Sequence, residues 1–191
     1  MAGRIAQLLD LPIPPIAQVE IPSGLIRFDP ELARDLGAGV AFGSRHVANA
    51  MEFAASRITD VPEALRWRLL FFDWWVMNED RYLGPSGGNV NLLWTEADAR
   101  LHVIDHNLSF DPSFDEEAML AGHVFRDVCG GIWRSFAEDE RARVQLVMEQ
   151  VEDCWKEIPA EWTDGAALGY NGVLACLHRV HAAGFFGDSR L

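Results

Sequence analysis

The chain has 191 residues, 49% hydrophobic and 24% charged, enough for one globular domain, or a domain with a small lobe, to bury a core without disulfides. Its formal net charge of −13 excludes the basic surface on which a general nucleic-acid binder depends. No run approaches the roughly 20 apolar residues of a membrane-spanning helix, because the densest, Leu69 to Met77, is interrupted by Asp73.

Met1 to Asp10 reads as a helix with Ile5, Leu8 and Leu9 on one face. It lacks a basic n-region and a small-residue cleavage site, so no signal peptide is read. The prolines of Leu11-Pro12-Ile13-Pro14-Pro15 end it. Ile16 to Ile21 alternates as a strand, and Pro22-Ser23-Gly24 turns. Asp29 at the N-cap and Pro30 at N1 open a short helix through Leu36. Val40 to Phe42 is extended between glycines, and Val47 to Arg57 is expected to be helical. Asp60 is placed as the cap of a helix from Pro62 to about Asn78, where Leu65, Leu69, Phe72, Trp75 and Val76 recur at helical spacing. That helix is apolar on most of its circumference and is expected at the centre of the fold. The glycine-rich loop Gly84-Pro85-Ser86-Gly87-Gly88 follows. Asn91 to Thr95 and Leu101 to Ile104 form a hairpin turning near Ala97-Asp98. Phe114 to Ala121, Glu138 to Trp155 and Trp162 to Ala183 read as helices, the last broken or weakened near Gly169 and Gly172. The fold class is therefore α+β and mostly helical, with one hairpin after the central helix.

Three residues are candidates for chemistry. Asp80 lies just past the central helix, Asn89 leads into the first hairpin strand, and Asp105 ends the second. A hairpin brings its two ends together, so Asn89 and Asp105 are expected to face Asp80. A carboxylate and an amide oxygen converging in this way make a hard-oxygen site suited to magnesium. A further carboxylate, Asp80, is then placed to take a proton from a hydroxyl nucleophile. This is the division of labour in kinases. Taken singly, each of the three is an ordinary turn or cap residue. Asp73, inside the apolar run Phe71-Phe72-Asp73-Trp74-Trp75, is costly to bury unless paired. It is expected to accept hydrogen bonds from the following loop or from an arginine.

Phe72-Asp73, Asn78-Glu79-Asp80-Arg81, Asn89-Val90-Asn91-Leu92-Leu93-Trp94 and Val103-Ile104-Asp105-His106 together resemble the HipA-like kinases, bacterial relatives of the protein-kinase fold. The opening from Ala2 to Pro14 is similar to a helix and proline turn of that family. The resemblance spans roughly Ala2 to Asp127. It implies a kinase-like C-lobe at residues 47–191 and a remnant of the N-lobe, with the hinge, at residues 1–46. It also implies Asp80 as catalytic base and Asn89 and Asp105 as ligands of Mg2+ or Mn2+. It further implies that Ala41, Phe42 and Gly43, within the hinge stretch Val40 to Val47, contact the adenine of ATP through their backbone. Asp73, Asn78, Arg81, Asn91 and His106 are the supporting residues.

The implied activity is transfer of phosphate from ATP to a serine or threonine hydroxyl of a protein substrate, in a toxin–antitoxin or regulatory setting. Two departures stand beside it. The base and the metal-binding Asn of a kinase lie about five residues apart, and here Leu83 to Gly88 lengthens that loop. The family's phosphate-pairing lysine precedes the helix found here at Met1, and Lys156 is the sole lysine. A separately encoded N-lobe or regulatory protein, a truncated chain, or a noncatalytic pseudokinase that acts as a binding module would each account for this. Cys129, Cys154 and Cys176 have no CxxC or CxH spacing and read as reduced thiols of a cytoplasmic protein. The glycine-rich loop lacks a Walker ending, and no nucleophilic-serine motif occurs.

Overall fold

The computed structural model describes residues 1–85, 87–131, 138–164, 166 and 168–182, so Ser86 of the glycine-rich loop and the end of the last expected helix, Ala183, lie outside the described residues. The chain divides into two units: Met1–Ile13 together with Ala50–Leu191, and Pro14–Asn49.

The larger unit is built around α4, Glu63–Trp75. Every residue from Leu69 to Trp75 is buried, as an all-round apolar helix requires. The helix stops where Met77 turns into the left-handed region at φ 57°. α1, Ala2–Leu8, buries Ile5 and Ala6 and packs against α6, Glu138–Lys156. A three-stranded antiparallel sheet runs in the order β3-β4-β5, with β3 at Ala50–Glu52, β4 at Leu92–Thr95 and β5 at Arg100–Val103. Leu92 lies opposite Val103 and Thr95 opposite Arg100, so the expected hairpin forms around residues 96–99. The linker after α1 lies beside it, where Val103 N–H donates to the Pro12 carbonyl (2.9 Å).

α5, Glu116–Gly122, is capped by Asp115, whose carboxylate accepts from Ala118 N–H (3.0 Å). A 3₁₀ turn, Arg126–Gly131, follows. The C-terminal helices are α7 (Ala160–Thr163), α8 (Tyr170–Leu177) and α9 (Arg179–Ala182). Trp75 Nε1 donates to the Leu177 carbonyl at 2.7 Å. The Arg179 guanidinium covers the Trp74 ring at 4.5 Å and pairs with Glu116 at 2.9 Å. These contacts fasten α8 and α9 to the central helix.

The smaller unit holds β1, Ile16–Ile21, α2, Ser23–Ile26, α3, Pro30–Asp35, and β2, Gly39–Ser44. β1 and β2 pair antiparallel with Ile16 opposite Ser44.

Helices and two small antiparallel sheets make the chain α+β, as expected, but several local readings are corrected. Val47 to Arg57 is not a helix. Asn49 has φ 57°, Ala50–Glu52 joins the sheet beside β4, and a 3₁₀ turn, Ala55–Asp60, follows. Phe53, only 4% exposed, is drawn into the core there, so tertiary packing overrides helix propensity. Asp60 does not cap α4. It pairs with Arg57, and Pro62 occupies the N-cap without a side-chain bond. Pro22-Ser23-Gly24 leads into the short helix α2 instead of a simple turn. The segment from Trp162 is broken at Gly169 as read, with Gly169 extended at φ −77°, ψ 179°, and α7, α8 and α9 stand in place of one helix. Among the described residues, no helix is long and apolar enough to cross a membrane.

Candidate active site

The site is built on a carboxylate buried in the middle of α4. Asp73 is 0% exposed. Its Oδ2 accepts from Arg81 Nε at 2.7 Å and lies 3.0 Å from His123 Nε2. Its Oδ1 accepts from Asn78 Nδ2 at 2.7 Å. Burial alone pushes the carboxyl up. The Arg81 guanidinium, with the His123 contact, outweighs that and holds it at about 2. The expectation that Asp73 would pair with an arginine is met by Arg81, whose own side chain is fully buried.

Arg81 reaches further. Its Nη1 donates to the carbonyls of Asn91 (2.6 Å), Val90 (3.2 Å) and Ile104 (3.3 Å). One guanidinium therefore ties the end of α4 to the start of β4 and the end of β5. The fork of donors on a planar cation suits this task, and the single point charge of a lysine does not. His106 lies against the same cluster. Its Nδ1 is 3.4 Å from Arg81 Nη2, and its ring meets Phe72 edge-on at 5.4 Å. Burial first, and the Arg81 charge second, lower its pKa to about 4.

The chain around Arg81 then sets Asp80. Arg81 points inward, and its carbonyl accepts from Val124 N–H (3.0 Å). Asp80 is half-buried. Its carboxylate accepts from Asn89 Nδ2 at 3.0 Å to each oxygen and from Asn91 Nδ2 at 2.7 Å to Oδ2. Asn91 Nδ2 also reaches the Asp80 carbonyl at 3.1 Å. Two amides thus hold one carboxylate.

The lengthened loop between them closes on itself. Tyr82 N–H donates to the Asn89 carbonyl (2.9 Å), and Gly84 and Gly87 exchange backbone bonds at 3.0 and 3.2 Å. The extra residues therefore form a small hairpin whose neck returns Asn89 to Asp80. Gly88 is required at the neck, since a Cβ there would overlap the Tyr82 carbonyl oxygen and lie 2.9 Å from its carbon. Gly88→Ala is expected to cost about 1–3 kcal/mol, lowering the melting temperature by several degrees in a thermal scan. Gly24→Ala, in α2 at a position with nothing within 4 Å, is the control expected not to lower it.

Asp105 lies two residues past β5, in the left-handed region at φ 52°. Its side chain is exposed, and Oδ1 accepts from Asn107 N–H (3.3 Å). Asn91 is tied to the same strand end, because Ile104 N–H donates to the Asn91 carbonyl (3.1 Å). The structure thus brings Asp80, Asn89 and Asn91 into direct contact and joins Asp105 to them through the backbone of Ile104. Ala41, Phe42 and Gly43 belong to the other unit, on β2, opposite Val19, Gln18 and Ala17.

Among the described residues, no group of three or more His, Cys, Asp or Glu side chains gathers as a metal cluster. The donors on offer are two carboxylates and two amides, all hard oxygens. Such a set fits magnesium, which draws its remaining ligands from water and phosphate.

Sequence reasoning missed His123. It sits 50 residues from Asp73, on the far side of α5, and no local spacing links the two. Glu79 was missed too; its carboxylate accepts from the Asp115 N–H and so holds the start of α5 beside the loop.

The model of one protein family, described as HipA-like kinase, matches residues 1–184. No curated protein and no solved structure gives a match.

Proposed function

The chain belongs to the HipA-like kinase family, and from that premise we propose that it carries the phosphoryl-transfer machinery of a serine/threonine protein kinase. In this reading residues 47–191 act as the C-lobe and residues 1–46 as a remnant of the N-lobe with the hinge. ATP is the cosubstrate, and the acceptor is a hydroxyl on a protein in a toxin–antitoxin or other regulatory setting. The observation that carries the reading is the Asp80 carboxylate held by the amides of Asn89 and Asn91.

The roles follow from the chemistry of each group. Asp80, fixed in orientation by its amide donors, receives the proton of the attacking hydroxyl. Asn89 and Asn91 spend their N–H groups on Asp80, which leaves their side-chain oxygens for a cation. Asn91 is half-buried and tied by its backbone to Ile104 and Arg81, whereas Asn89 is exposed, so Asn91 shares the role first assigned to Asn89. Asp105 offers an exposed carboxylate just past β5. Mg2+ or Mn2+ bound there neutralises charge on the phosphates. Asp73, Asn78, Arg81 and His106 hold these residues in place. The backbone of Ala41, Phe42 and Gly43 is assigned to adenine.

A second reading, a noncatalytic module or one subunit of a two-chain assembly, is favoured by Lys156. The sole lysine lies on α6, where it pairs with Glu152 (2.7 Å) and Asp153 (3.7 Å) with most of its side chain in solvent. In the two-chain form of this reading, a separately encoded N-lobe supplies the cation for the ATP phosphates.

Two measurements test the proposal. Saturating Mg2+ or Mn2+, at about 100 times its Kd, is expected to stabilise the chain by about 2.7 kcal/mol, a rise of roughly 5–10 °C in melting temperature. Asp105→Asn is expected to abolish the rise, and an unchanged response in that variant removes the metal assignment. The chain by itself is expected to phosphorylate a protein only feebly with ATP. Robust transfer would remove the need for a second chain.

A further inference from the structure

A cavity of about 420 Å³ lies in the larger unit and shares no residue with the Asp73 cluster. Three segments line it. The linker after α1 supplies Leu11 and Ile13, the start of α4 supplies Pro62, Ala64 and Leu65, and β5 supplies its first residue, Arg100. Two hydrogen bonds hold these segments together. Val103 N–H donates to the Pro12 carbonyl (2.9 Å), and Arg68, one turn further along α4, donates from Nη1 to the Asp10 carbonyl (3.4 Å). The volume falls in the range of small-molecule sites, roughly 300–1,000 Å³, and does not suit a folded partner.

Three charged side chains reach the cavity, Asp10, Arg68 and Arg100. Arg68 is already compensated. Glu140, only 7% exposed, accepts from its Nε at 2.9 and 3.1 Å and from its Nη2 at 2.5 Å. A guanidinium has five N–H groups, so Arg68 keeps a second N–H on Nη1 beyond the one given to Asp10. The Asp10 carboxylate lies 3.9 Å from Arg68 with 79% of its side chain in solvent, and water screens it there. Among the described residues, the Arg100 guanidinium has no hydrogen-bond or ion-pair partner. A chain of net charge −13 thus sets an uncompensated cation beside an apolar hollow.

We infer that this cavity is a binding site for a small organic monocarboxylate with an apolar body. The carboxylate meets the Arg100 guanidinium, whose planar fork matches two carboxylate oxygens, and takes the spare N–H of Arg68. The apolar body covers Leu11, Ile13, Pro62 and Leu65, in the usual division between an apolar lining and a few polar anchors. A dianion such as a phosphate monoester suits the site less well. Glu140 already neutralises Arg68 and Asp10 stands nearby, so a second negative charge on the ligand meets no cation of its own.

This inference rests on the cavity alone and is independent of the kinase reading, so its test uses binding and not catalysis. Calorimetric titration of the full chain with phenylbutyrate is expected to show a saturable site with a dissociation constant of about 1 mM or tighter. Butyrate, which lacks the ring, and phenylbutanol, which lacks the charge, are each expected to bind about tenfold or more weakly. Arg100→Met removes the cation at an exposed position and is expected to weaken phenylbutyrate about tenfold or more, whereas Arg100→Lys keeps the charge and most of the affinity. Ala64→Glu sets an acid in the cavity wall, at an exposed place in the first turn of α4 where an acid favours the helix. It is expected to weaken phenylbutyrate by a similar factor, and both variants are expected to melt with the parent. No saturable binding of phenylbutyrate at millimolar concentration overturns the inference. Binding that neither Arg100→Met nor Ala64→Glu weakens, or phenylbutanol that binds as tightly as the acid, overturns it as well.

Discussion

Arg81→Met is expected to lower the unfolding free energy by about 3–5 kcal/mol, the range for removing one partner of a buried ion pair. Both side chains are fully buried, with Nε and Oδ2 2.7 Å apart. Methionine fills much of the same volume but leaves the Asp73 charge inside an apolar helix with only His123 and Asn78 to bond it. The carbonyls of Val90 and Ile104 lose the donor they share with Asn91. Urea unfolding followed by the fluorescence of Trp74 and Trp75 measures the loss, with a slope of about 1–3 kcal/mol per molar urea converting the midpoint shift. Arg81→Lys keeps the charge but not the fork, so an intermediate loss is expected. The double variant D73L/R81M removes both charges and is expected to regain part of the stability. It is not expected to regain the magnesium response, because the strand ends stay untied. A loss below about 1 kcal/mol in Arg81→Met would mean that the cluster does not hold the site together.

How far the sequence foretold this site depends on the range of the interactions. α4 was legible because Leu65, Leu69, Phe72, Trp75 and Val76 recur at helical spacing, and its hairpin because two short apolar runs flank a polar turn. The cost of burying Asp73 was legible from its neighbours alone, and so was the need for a cationic partner. The identity of that partner was only a choice among arginines, and His123 was invisible because it arrives from the far side of α5. β3 was missed as well. Three residues have no period to read, and Ala50–Glu52 becomes a strand only because β4 offers it an edge. The break at Gly169 was legible, since a glycine in a helical pattern weakens it and Gly169 is extended.

Acidification is expected to weaken the fold along two limbs, both centred on Asp73. On the first, Phe125 N–H donates to His123 Nδ1 (3.0 Å), which leaves Nε2 to carry the ring proton toward Asp73. The buried ring is therefore neutral, and burial, ahead of the attraction of Asp73, lowers its pKa from 6.5. The unfolded chain takes up a proton near pH 6.5 where the folded chain does not, so stability falls as the pH drops below that value. His106, lowered to about 4 by burial, adds to the same limb. On the second, Asp73 titrates at about 2 in the fold against 3.8 when unperturbed. Its ionised form contributes about 2–3 kcal/mol above pH 4, and this is lost as the pH falls toward 2. Urea midpoints measured from about pH 7 down to about pH 3 trace both limbs. His123→Gln keeps a donor for Asp73 and an acceptor for Phe125 but cannot titrate. It is expected to make the first limb shallower, leaving the share of His106, and to leave the second in place. If its midpoints fall between about pH 6.5 and 5 as steeply as those of the parent, the first limb belongs to other histidines and the neutral His123 assignment fails.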